Sequence, residues 1–264
     1  DDYLEMSARV DESDIVDVLS NYETLIAGSD QIWGPSRRSD RTYFLGFDGM
    51  FQGNKISYAA DSTTPHIELK RKNIIRHDLD DFDAISVRNK HSQEFVEKLI
   101  GKAVPIVVDP TILCDFSSLR GDHGDCAEEY ILVYVLGKDI EGTNRSAIEK
   151  IKQVHGDMQV YAVVDPTRKF NTDISDSADR VFYDLGPLEW VDMLKNAAFV
   201  YTDSFHGTLF SLKFHKPFLA YYAEDMRASR FIDLGSRYGV ERYIVRSVDE
   251  IDLKKTLDRL PDFR

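Results

Sequence analysis

The sequence has 264 residues, of which 42% are hydrophobic and 30% charged, so it can form one large or two small globular domains. Its formal net charge of −13 argues against nucleic acid or an anionic membrane surface as the partner, and no apolar run approaches the roughly 20 residues of a membrane-spanning helix. Because the acidic start lacks the features of a signal peptide, and Cys114 and Cys126 read as reduced thiols, we expect a cytoplasmic protein.

Short strands and helices alternate through the first part of the chain. Apolar and β-branched runs predict strands at 24–28, 55–60, 84–88 and 105–108. Helical spacing predicts helices at 12–20, 67–80 and 89–101. The apolar side of the second helix is expected to carry Leu69, Ile74, Ile75 and Leu79. This β–α–β alternation predicts a parallel sheet.

A segment rich in Gly, Asp and Ser, residues 115–128, is the best candidate for a linker between domains at 1–114 and 129–264. The alternation then resumes. It predicts strands at 130–136, 159–164, 181–183, 198–202, 217–222 and 242–246, helices at 143–154, 187–197, 208–214, 226–238 and 250–259, and a polar loop at 165–180. Two α/β domains of this kind predict a ligand-binding cleft between them.

The most informative turn lies between Ala197 and Pro217. An apolar strand runs into the polar residues Asp203 to Gly207 and then into an apolar helix, which places His206 and backbone N–H groups at the carboxyl end of a strand. Open α/β sheets bind ligands at that edge, and helix N-termini favour anions. A histidine there tends to be neutral and can act as a general acid once an anion binds. The alternative is a core turn with a capping aspartate and a satisfied histidine.

Polar residues also follow three other predicted strands, in Ser29–Gln31, at Arg88 and in Asp109–Thr111. Arg88 suits a phosphate or carboxylate through bidentate hydrogen bonds. Alternatively, it is a surface arginine that pairs with Asp81 or Asp83. Four histidines with polar neighbours are expected to be solvated, namely His91, His123, His155 and His215.

Three further residues have both a chemical and a structural interpretation. Asp30 could orient or deprotonate a hydroxyl, although an aspartate in a turn is often an Asx cap. Trp33 could stack on a sugar or simply pack, and Arg230 could reach the cleft or pair with Asp233. The Asp109-Pro110 pair reads as a rigid turn. We find no dinucleotide fingerprint, Walker loop, Ser-His-Asp elbow or metal-binding cluster in the sequence.

Taken together, these segments resemble the polysaccharide pyruvyl transferase family from about residue 12 to residue 240. The motifs that carry the resemblance recur in order as GSDQIW at 28–33, KISYAA at 55–60, SVR at 86–88, VDPT at 108–111, TDSFHGT at 202–208 and KPF at 216–218. The pairing of GSDQ-x-W with TDSFHGT is specific to that family.

The resemblance implies two Rossmann-like domains of the GT-B type, with the acceptor side in the first and the donor side in the second. It implies transfer of pyruvate from phosphoenolpyruvate to two hydroxyls of a sugar, in a polysaccharide such as an exopolysaccharide or in its precursor. The products are a cyclic ketal and phosphate. No cofactor or metal is expected besides phosphoenolpyruvate as co-substrate, and the acceptor is a sugar or a lipid-linked oligosaccharide. A peripheral contact with the polysaccharide assembly machinery is left open.

Carried over by position, His206 matches the family's catalytic histidine and Arg88 a phosphoenolpyruvate-binding arginine. The full predicted site has His206 and Asp30 in catalysis, Arg88, Ser204, Gly207, Thr208 and Arg230 at the donor, and Ser29, Gln31 and Trp33 at the acceptor. Some relatives have Arg-Leu-His where this chain has Ser204-Phe205-His206, and Arg230 is the predicted replacement for that arginine. Many relatives have Ser where this chain has Asp61. They usually also begin with a strand and an Asn-Tyr-Gly turn, so the first domain is expected to be incomplete.

Two other functions remain open from the sequence. One is a glycosyltransferase or epimerase that uses a nucleotide sugar on the same fold. The other is a non-catalytic relative that recognises a glycan or phosphate. Binding of phosphoenolpyruvate without turnover would distinguish the second from an enzyme.

Overall fold

The computed structural model describes residues 14–34, 41–62, 69–116, 129–156, 158–165 and 172–252. The chain divides into two compact units, Asp1–Pro110 and Thr111–Arg264. The predicted linker at 115–128 lies outside the described residues except for its first two positions, as does the predicted helix at 250–259 beyond residue 252.

The first unit is built on a three-stranded parallel sheet in the order β1-β2-β3. These strands are β1 (Thr24–Gly28), β2 (Asn54–Ala60) and β3 (Ala84–Val87). The helices are α1 (Ile15–Leu19), α2 (Leu69–Asp80), α3 (Lys90–Ile100) and α4 (Pro110–Leu113), of which α4 runs into the second unit. Within the predicted strand at 105–108, only Ile106 pairs, through a parallel bridge to Val87.

A β-bulge interrupts β2 near its carboxyl end. Ser57 is opposite Ile85, but Ala60 is opposite Val87, so β2 contains one extra residue between these pairs. Ala59 lies in this extra stretch with a left-handed φ of 54° and is fully buried. The bulge therefore changes which face of the sheet the following residues occupy.

The second unit has a six-stranded parallel sheet in the order β6-β5-β4-β7-β8-β9. The strands are β4 (Tyr130–Tyr134), β5 (Gln159–Val163), β6 (Arg180–Phe182), β7 (Phe199–Thr202), β8 (Phe218–Tyr221) and β9 (Ile244–Val245). The helices are α5 (Asn144–His155), α6 (Thr172–Ser175), α7 (Pro187–Asn196), α8 (Phe205–Lys213) and α9 (Asp225–Tyr238). The chain reverses its direction of travel across the sheet between β4 and β7, which is where ligands bind in open α/β sheets.

Both faces of the second sheet are covered, as expected when helices pack on each side of parallel strands. Along β4, Tyr130 and Leu132 join one core cluster, while Ile131 and Val133 join the other. All four are at most 1% exposed, so the unbroken apolar run of this strand reflects burial on two sides.

Most predicted elements are present, and the parallel sheets with their helices confirm the predicted α/β class. Three details of the sequence interpretation are wrong. Ile74 is 48% exposed although it was placed on the apolar side of its helix, and the polar loop at 165–180 contains α6. His91 and His155 are half-buried instead of solvated, and His123 lies outside the described residues. The ring centroid of His155 lies 4.7 Å from that of Phe199. Burial lowers the pKa of this imidazole.

The predictions about membrane spans and cysteines can be compared with the described residues only. Among the described residues, no helix has both the length and the apolar composition needed to cross a membrane. Cys114 is an exposed free thiol, and Cys126 lies outside the described residues.

Candidate active site

The turn between β7 and α8, residues Thr202–Thr208, is held by a set of short hydrogen bonds and is referred to below as the elbow. Ser204 is the N-cap of α8, and its Oγ accepts the Gly207 N–H at 3.1 Å. Thr202 Oγ1 accepts the Ser204 N–H at 3.0 Å and donates to the carbonyl of Tyr134 at 2.6 Å. The elbow is therefore tied to β4, the neighbouring strand at the switch point.

Asp203 connects the elbow to the segment that follows β4. It is 3% exposed, and its Oδ1 accepts the Leu136 N–H at 2.6 Å. Burial and the nearby charge of Asp203, together with Tyr221, raise the pKa of Tyr201 well above its usual range. The Tyr201 hydroxyl donates to Asn144 Oδ1 at 2.6 Å, so this phenol acts as a structural donor.

Gly207 and Thr208 form the inner wall of the elbow. A Cβ on Gly207 would lie 2.7 Å from Thr202 Oγ1, so only glycine allows the two segments to approach this closely. The Thr208 hydroxyl donates to the Ser204 carbonyl at 2.9 Å, and the residue is fully buried. The side chains of the predicted donor-binding residues Ser204 and Thr208 thus contribute to the turn itself.

His206 is the one residue of Thr202–Thr208 that is not buried. Its imidazole packs edge-on against Phe205, with ring centroids 5.5 Å apart. A cation from α9 also approaches Phe205: the Arg230 guanidinium lies 5.9 Å from the centroid of the Phe205 ring, and Arg230 is half-buried. The fold therefore brings the predicted arginine to the histidine-bearing end of α8.

In the first unit, Arg88 is the centre of a buried ion-pair cluster. Its Nη2 lies 2.6 Å from Asp61 Oδ2 and 3.2 Å from Asp30 Oδ1, and its Nη1 lies 2.9 Å from Asp109 Oδ2. Arg88, Asp61 and Asp109 are 2%, 2% and 4% exposed, whereas the Asp30 side chain is 64% exposed. We refer to Arg88, Asp30, Asp61 and Asp109 as the Arg88 cluster.

The charges of the Arg88 cluster are unequal, because one guanidinium faces three carboxylates. Burial alone would lower the pKa of Arg88, but the charge and hydrogen bonds of Asp61, with those of Asp109, outweigh it and raise the pKa. An incoming phosphate would compete with these carboxylates, and donor binding by Arg88 stays a prediction. The alternative in which Arg88 pairs with Asp81 or Asp83 does not fit the structure, because both aspartates contact Lys55. Asp81 pairs with Lys55 Nζ at 2.5 Å, and Asp83 accepts the Lys55 N–H at 2.8 Å.

Asp30 and Ser29 lie in the turn that follows β1. Asp30 has a left-handed φ of 64°, and its carbonyl accepts the N–H groups of Ile32 at 2.8 Å and Asp61 at 3.1 Å. Ser29 Oγ donates to Asp109 Oδ2 at 3.1 Å. The turn therefore fixes Asp30 through its backbone and leaves most of its carboxylate accessible.

Trp33 lies behind this turn and not on its surface. It is 1% exposed, its ring stacks on Phe44 with centroids 5.4 Å apart, and its indole N–H donates to the Tyr43 carbonyl at 2.9 Å. A sugar-stacking role for Trp33 does not fit this packing. Gln31, the other predicted acceptor residue, is half-buried in the same turn.

Sequence reasoning missed the roles of Asp61 and Asp109 in the Arg88 cluster. Asp61 was noted only as a departure from relatives, and Asp109 was interpreted as part of a rigid turn. Asp61 directly follows β2, which ends at Ala60, and Asp109 lies three residues after the Ile106 bridge. The sequence predicts Asp109 and Arg88 at strand ends, and Asp61 follows a predicted strand in the same way, so a shared carboxyl edge is a partial signal. Their contacts with Arg88 depend on pairing between distant strands, which the sequence of one segment does not show.

A second acidic cluster is present in the first unit, where Asp48, His77 and Asp78 lie close enough to share a metal ion. Arg41 donates to both carboxylates, with Nη2 2.7 Å from Asp78 Oδ1. Its hydrogen bond lowers the pKa of Asp48. The guanidinium therefore supplies the positive charge between these carboxylates.

Comparison with protein families gives one match that covers most of the chain. The family model described as "Polysaccharide pyruvyl transferase" matches residues 2–225. No curated protein sequence matches the chain significantly.

Solved structures resemble the chain in fold. It is similar to UGT89C1 of Arabidopsis thaliana with a TM-score of 0.55 and 12% identity, over 95% of this chain and 68% of that one. It is similar to the UDP-GlcNAc 2-epimerase of Neisseria meningitidis bound to UDP-GlcNAc with a TM-score of 0.54 and 9% identity, over 90% and 69%. It is also similar to the S. aureus MnaA–UDP structure with a TM-score of 0.53 and 14% identity, over 94% of this chain and 70% of that one. Identities this low show the fold alone, and that fold is the predicted GT-B-like class.

Proposed function

The chain belongs to the polysaccharide pyruvyl transferase family, and from this we propose that it transfers pyruvate from phosphoenolpyruvate to two hydroxyls of a sugar. The sugar belongs to a polysaccharide or to its precursor, such as a lipid-linked oligosaccharide. The products are a pyruvate ketal and phosphate, and the proposed chemistry calls for no cofactor. The reaction is proposed to take place in the cytoplasm.

The accessibility of His206 carries this proposal. In an elbow whose other residues are buried, the imidazole is the group left within reach of a ligand. It is attached to the first turn of α8, where backbone N–H groups and the helix dipole favour an anion. Phosphoenolpyruvate has both a phosphate and a carboxylate, and a bound anion favours the protonated form of a neighbouring histidine.

Arg230 is proposed to bind the anionic donor beside His206. Its guanidinium already lies on the ring of Phe205, the residue next to the histidine. A guanidinium forms paired hydrogen bonds with a carboxylate or phosphate that a lysine could not match. Arg230 would thus supply, from α9, the cation that some relatives carry at the position of Ser204.

The proposed reaction begins with protonation of the donor. His206 donates a proton to the methylene carbon of phosphoenolpyruvate, and the positive character that develops at C2 is attacked by the first sugar hydroxyl, which loses its proton to a base. The C2–O bond to phosphate then breaks, and phosphate leaves with the bonding electron pair. The second hydroxyl attacks C2 and loses its proton, which the departing phosphate can accept, and the ketal ring closes.

Asp30 is the proposed base for the first acceptor hydroxyl. Its carboxylate is largely exposed, and one of its oxygens is 3.2 Å from Arg88 Nη2. In this assignment Arg88 is a positioning residue for Asp30, because it also pairs with the buried carboxylates Asp61 and Asp109. The alternative from the family resemblance, direct binding of phosphoenolpyruvate by Arg88, is tested by the stability measurements described in the Discussion.

The proposal is tested by phosphate release from phosphoenolpyruvate across galactosyl, glucosyl and mannosyl acceptors, with the ketal product detected by mass spectrometry. His206→Asn is expected to lower the rate by about 10²–10⁴-fold, the usual contribution of a general acid. His215→Asn is the matched control, because His215 is exposed after the end of α8 and asparagine tolerates its left-handed φ of 52°. Equal rates for His206→Asn and the wild type would refute the role of His206. Phosphoenolpyruvate binding without turnover on any acceptor would instead indicate a non-catalytic relative.

A further inference from the structure

A pocket of about 300 Å³ opens at the carboxyl edge of the second sheet, over β4, β5 and β6. Residues that directly follow these strands line it, including Leu136, Asp165 and Tyr183, and Trp190 of α7 lines it as well. None of these residues was part of the predicted site. We refer to it as the β4–β6 pocket.

The pocket shares a wall with the elbow. Two of its lining residues, Tyr134 and Leu136, hydrogen-bond to the elbow: the Tyr134 carbonyl accepts from Thr202, and the Leu136 N–H donates to Asp203, both at 2.6 Å. A ligand in the pocket would therefore lie against the same stretch of backbone that holds the turn of His206. This continuity links the pocket to the proposed reaction.

The lining combines three aromatic rings and one carboxylate with aliphatic residues such as Val163, Val164 and Leu185. Trp190 and Tyr134 pack edge-on, with ring centroids 5.2 Å apart, and Tyr183 contributes a third ring at the rim. Tyr183 is 55% exposed, so its ring is accessible to a ligand in the pocket. Asp165 also lines the pocket, and the Glu189 carboxylate lies against Gly186, the N-cap of the helix that forms one side.

These features favour one class of ligand. Carboxylates repel phosphate groups, but they accept hydrogen bonds from hydroxyls, while aromatic rings cover the apolar C–H face of a sugar. The volume lies at the lower limit for ligand pockets, which suits a single ring better than a nucleotide. We propose that the β4–β6 pocket binds one pyranose ring of the acceptor saccharide, an inference that rests on the proposed function. It departs from the family resemblance, which places the acceptor side in the first domain, because the lining residues of this pocket all belong to the second unit.

Binding is best measured without catalysis, by fluorine NMR of the full chain labelled with fluorotryptophan. The sequence contains two tryptophans, so each gives one signal, and Trp190→Phe identifies them. Methyl galactoside, methyl glucoside and methyl mannoside are titrated separately. We expect at least one to shift the Trp190 signal and to leave unchanged that of Trp33, which is 1% exposed in the first unit.

Variants then test which side chain carries the affinity. Tyr183→Ala is expected to weaken binding about tenfold, the loss that corresponds to one stacked ring. Tyr183→Phe keeps the ring and is expected to bind as the wild type does. Tyr22→Ala is the matched control, because Tyr22 is a similarly exposed tyrosine, at 48%, in the first unit.

Three outcomes would overturn the inference: no glycoside shifts the Trp190 signal, Tyr183→Ala binds as the wild type does, or UDP binds the pocket and excludes the glycosides. Its failure is distinguishable from failure of the proposed function. If phosphate is released from phosphoenolpyruvate but no glycoside reaches the pocket, only the subsite assignment is wrong. If glycosides bind but phosphate is not released with any acceptor, the pocket assignment stands and the pyruvyl transfer does not.

Discussion

Replacing Arg88 with leucine is the sharpest test of what the Arg88 cluster does. The substitution removes the guanidinium but keeps an apolar side chain, so Asp61 and Asp109 remain buried at 2% and 4% exposure without their cation. Removal of one partner from a buried ion pair costs about 3–5 kcal/mol because the remaining charge is desolvated. Loss of the contact between Arg88 and Asp30 adds little to this cost, since the Asp30 side chain is 64% exposed to solvent.

A loss of about 4 kcal/mol is a large part of the 5–15 kcal/mol that stabilises a typical domain. With a urea dependence of about 1–3 kcal/mol per molar, the unfolding midpoint should fall by more than about 1 M. In the Arg88→Leu background, Asp61→Asn should recover part of the stability, because a neutral amide replaces one of the two isolated charges. A cycle of single and double variants measures this coupling directly.

The measurement must report on the first unit alone, and the two tryptophans allow this. Trp33 packs in the core of the first unit, whereas Trp190 belongs to the second. In a Trp190→Phe background, the fluorescence of Trp33 therefore follows unfolding around the Arg88 cluster. Arg76→Leu is the control, because Arg76 is 59% exposed and pairs with Asp80 on the surface of α2, a contact that contributes at most about 0.5 kcal/mol.

The reasoning is refuted if Arg88→Leu moves the midpoint no more than Arg76→Leu does. If such a stable variant has also lost affinity for phosphoenolpyruvate, Arg88 binds the donor directly, as the family resemblance implies. A large loss of stability, relieved by Asp61→Asn, would assign Arg88 to holding the carboxylates.

Two further predictions concern the second unit. Gly207→Ala should destabilise the chain by about 1–3 kcal/mol in urea and slow phosphate release, because the new methyl group would lie 2.7 Å from Thr202 Oγ1; a gain in stability, as helix propensity alone would give, would show that the elbow is not tightly packed. His155→Phe should raise stability more at pH 5 than at pH 8. Burial lowers the pKa of His155 in the folded chain below its unfolded value of 6.5, so below pH 6.5 the unfolded chain binds more protons than the folded chain. The wild type therefore loses stability as the pH falls from 6.5 toward the folded pKa of His155. A pH-independent difference between His155→Phe and the wild type would contradict this.

The elbow could be predicted from the sequence because its determinants are local. The apolar run Phe199–Thr202 indicates a strand, and the Asp-Ser pair before an apolar helix indicates a cap, so the sequence predicts His206 at a strand–helix turn. The helix is predicted at 208–214 but begins at Phe205, so His206 lies on its first turn instead of before it. No local signal marks Arg230 as the replacement cation, and its prediction depends on the family resemblance at residue 204. The structure brings its guanidinium to the Phe205 ring.

The Arg88 cluster could not be predicted in the same way, because its three aspartates lie 21 to 58 residues from Arg88 in the chain. Alternation along β2 gives no warning that the register changes before Asp61, and a tryptophan in a polar turn gives no sign that its ring faces the core. These features depend on which side of the sheet a residue occupies. Pairing between distant strands decides that, and a single segment cannot reveal it.

Because of the bulge at Ala59, the Arg88 cluster depends on the number of residues in β2. One extra residue in β2 sets the register in which Ala60 is opposite Val87, and the Ala60 carbonyl accepts the Arg88 N–H at 3.1 Å. Deletion of a single residue here would give the sheet regular pairing and spare the left-handed conformation of Ala59, yet it would turn Asp61 toward the opposite face. This segment should therefore tolerate changes of side chain far better than changes of length, even though the shorter version would make a more regular strand.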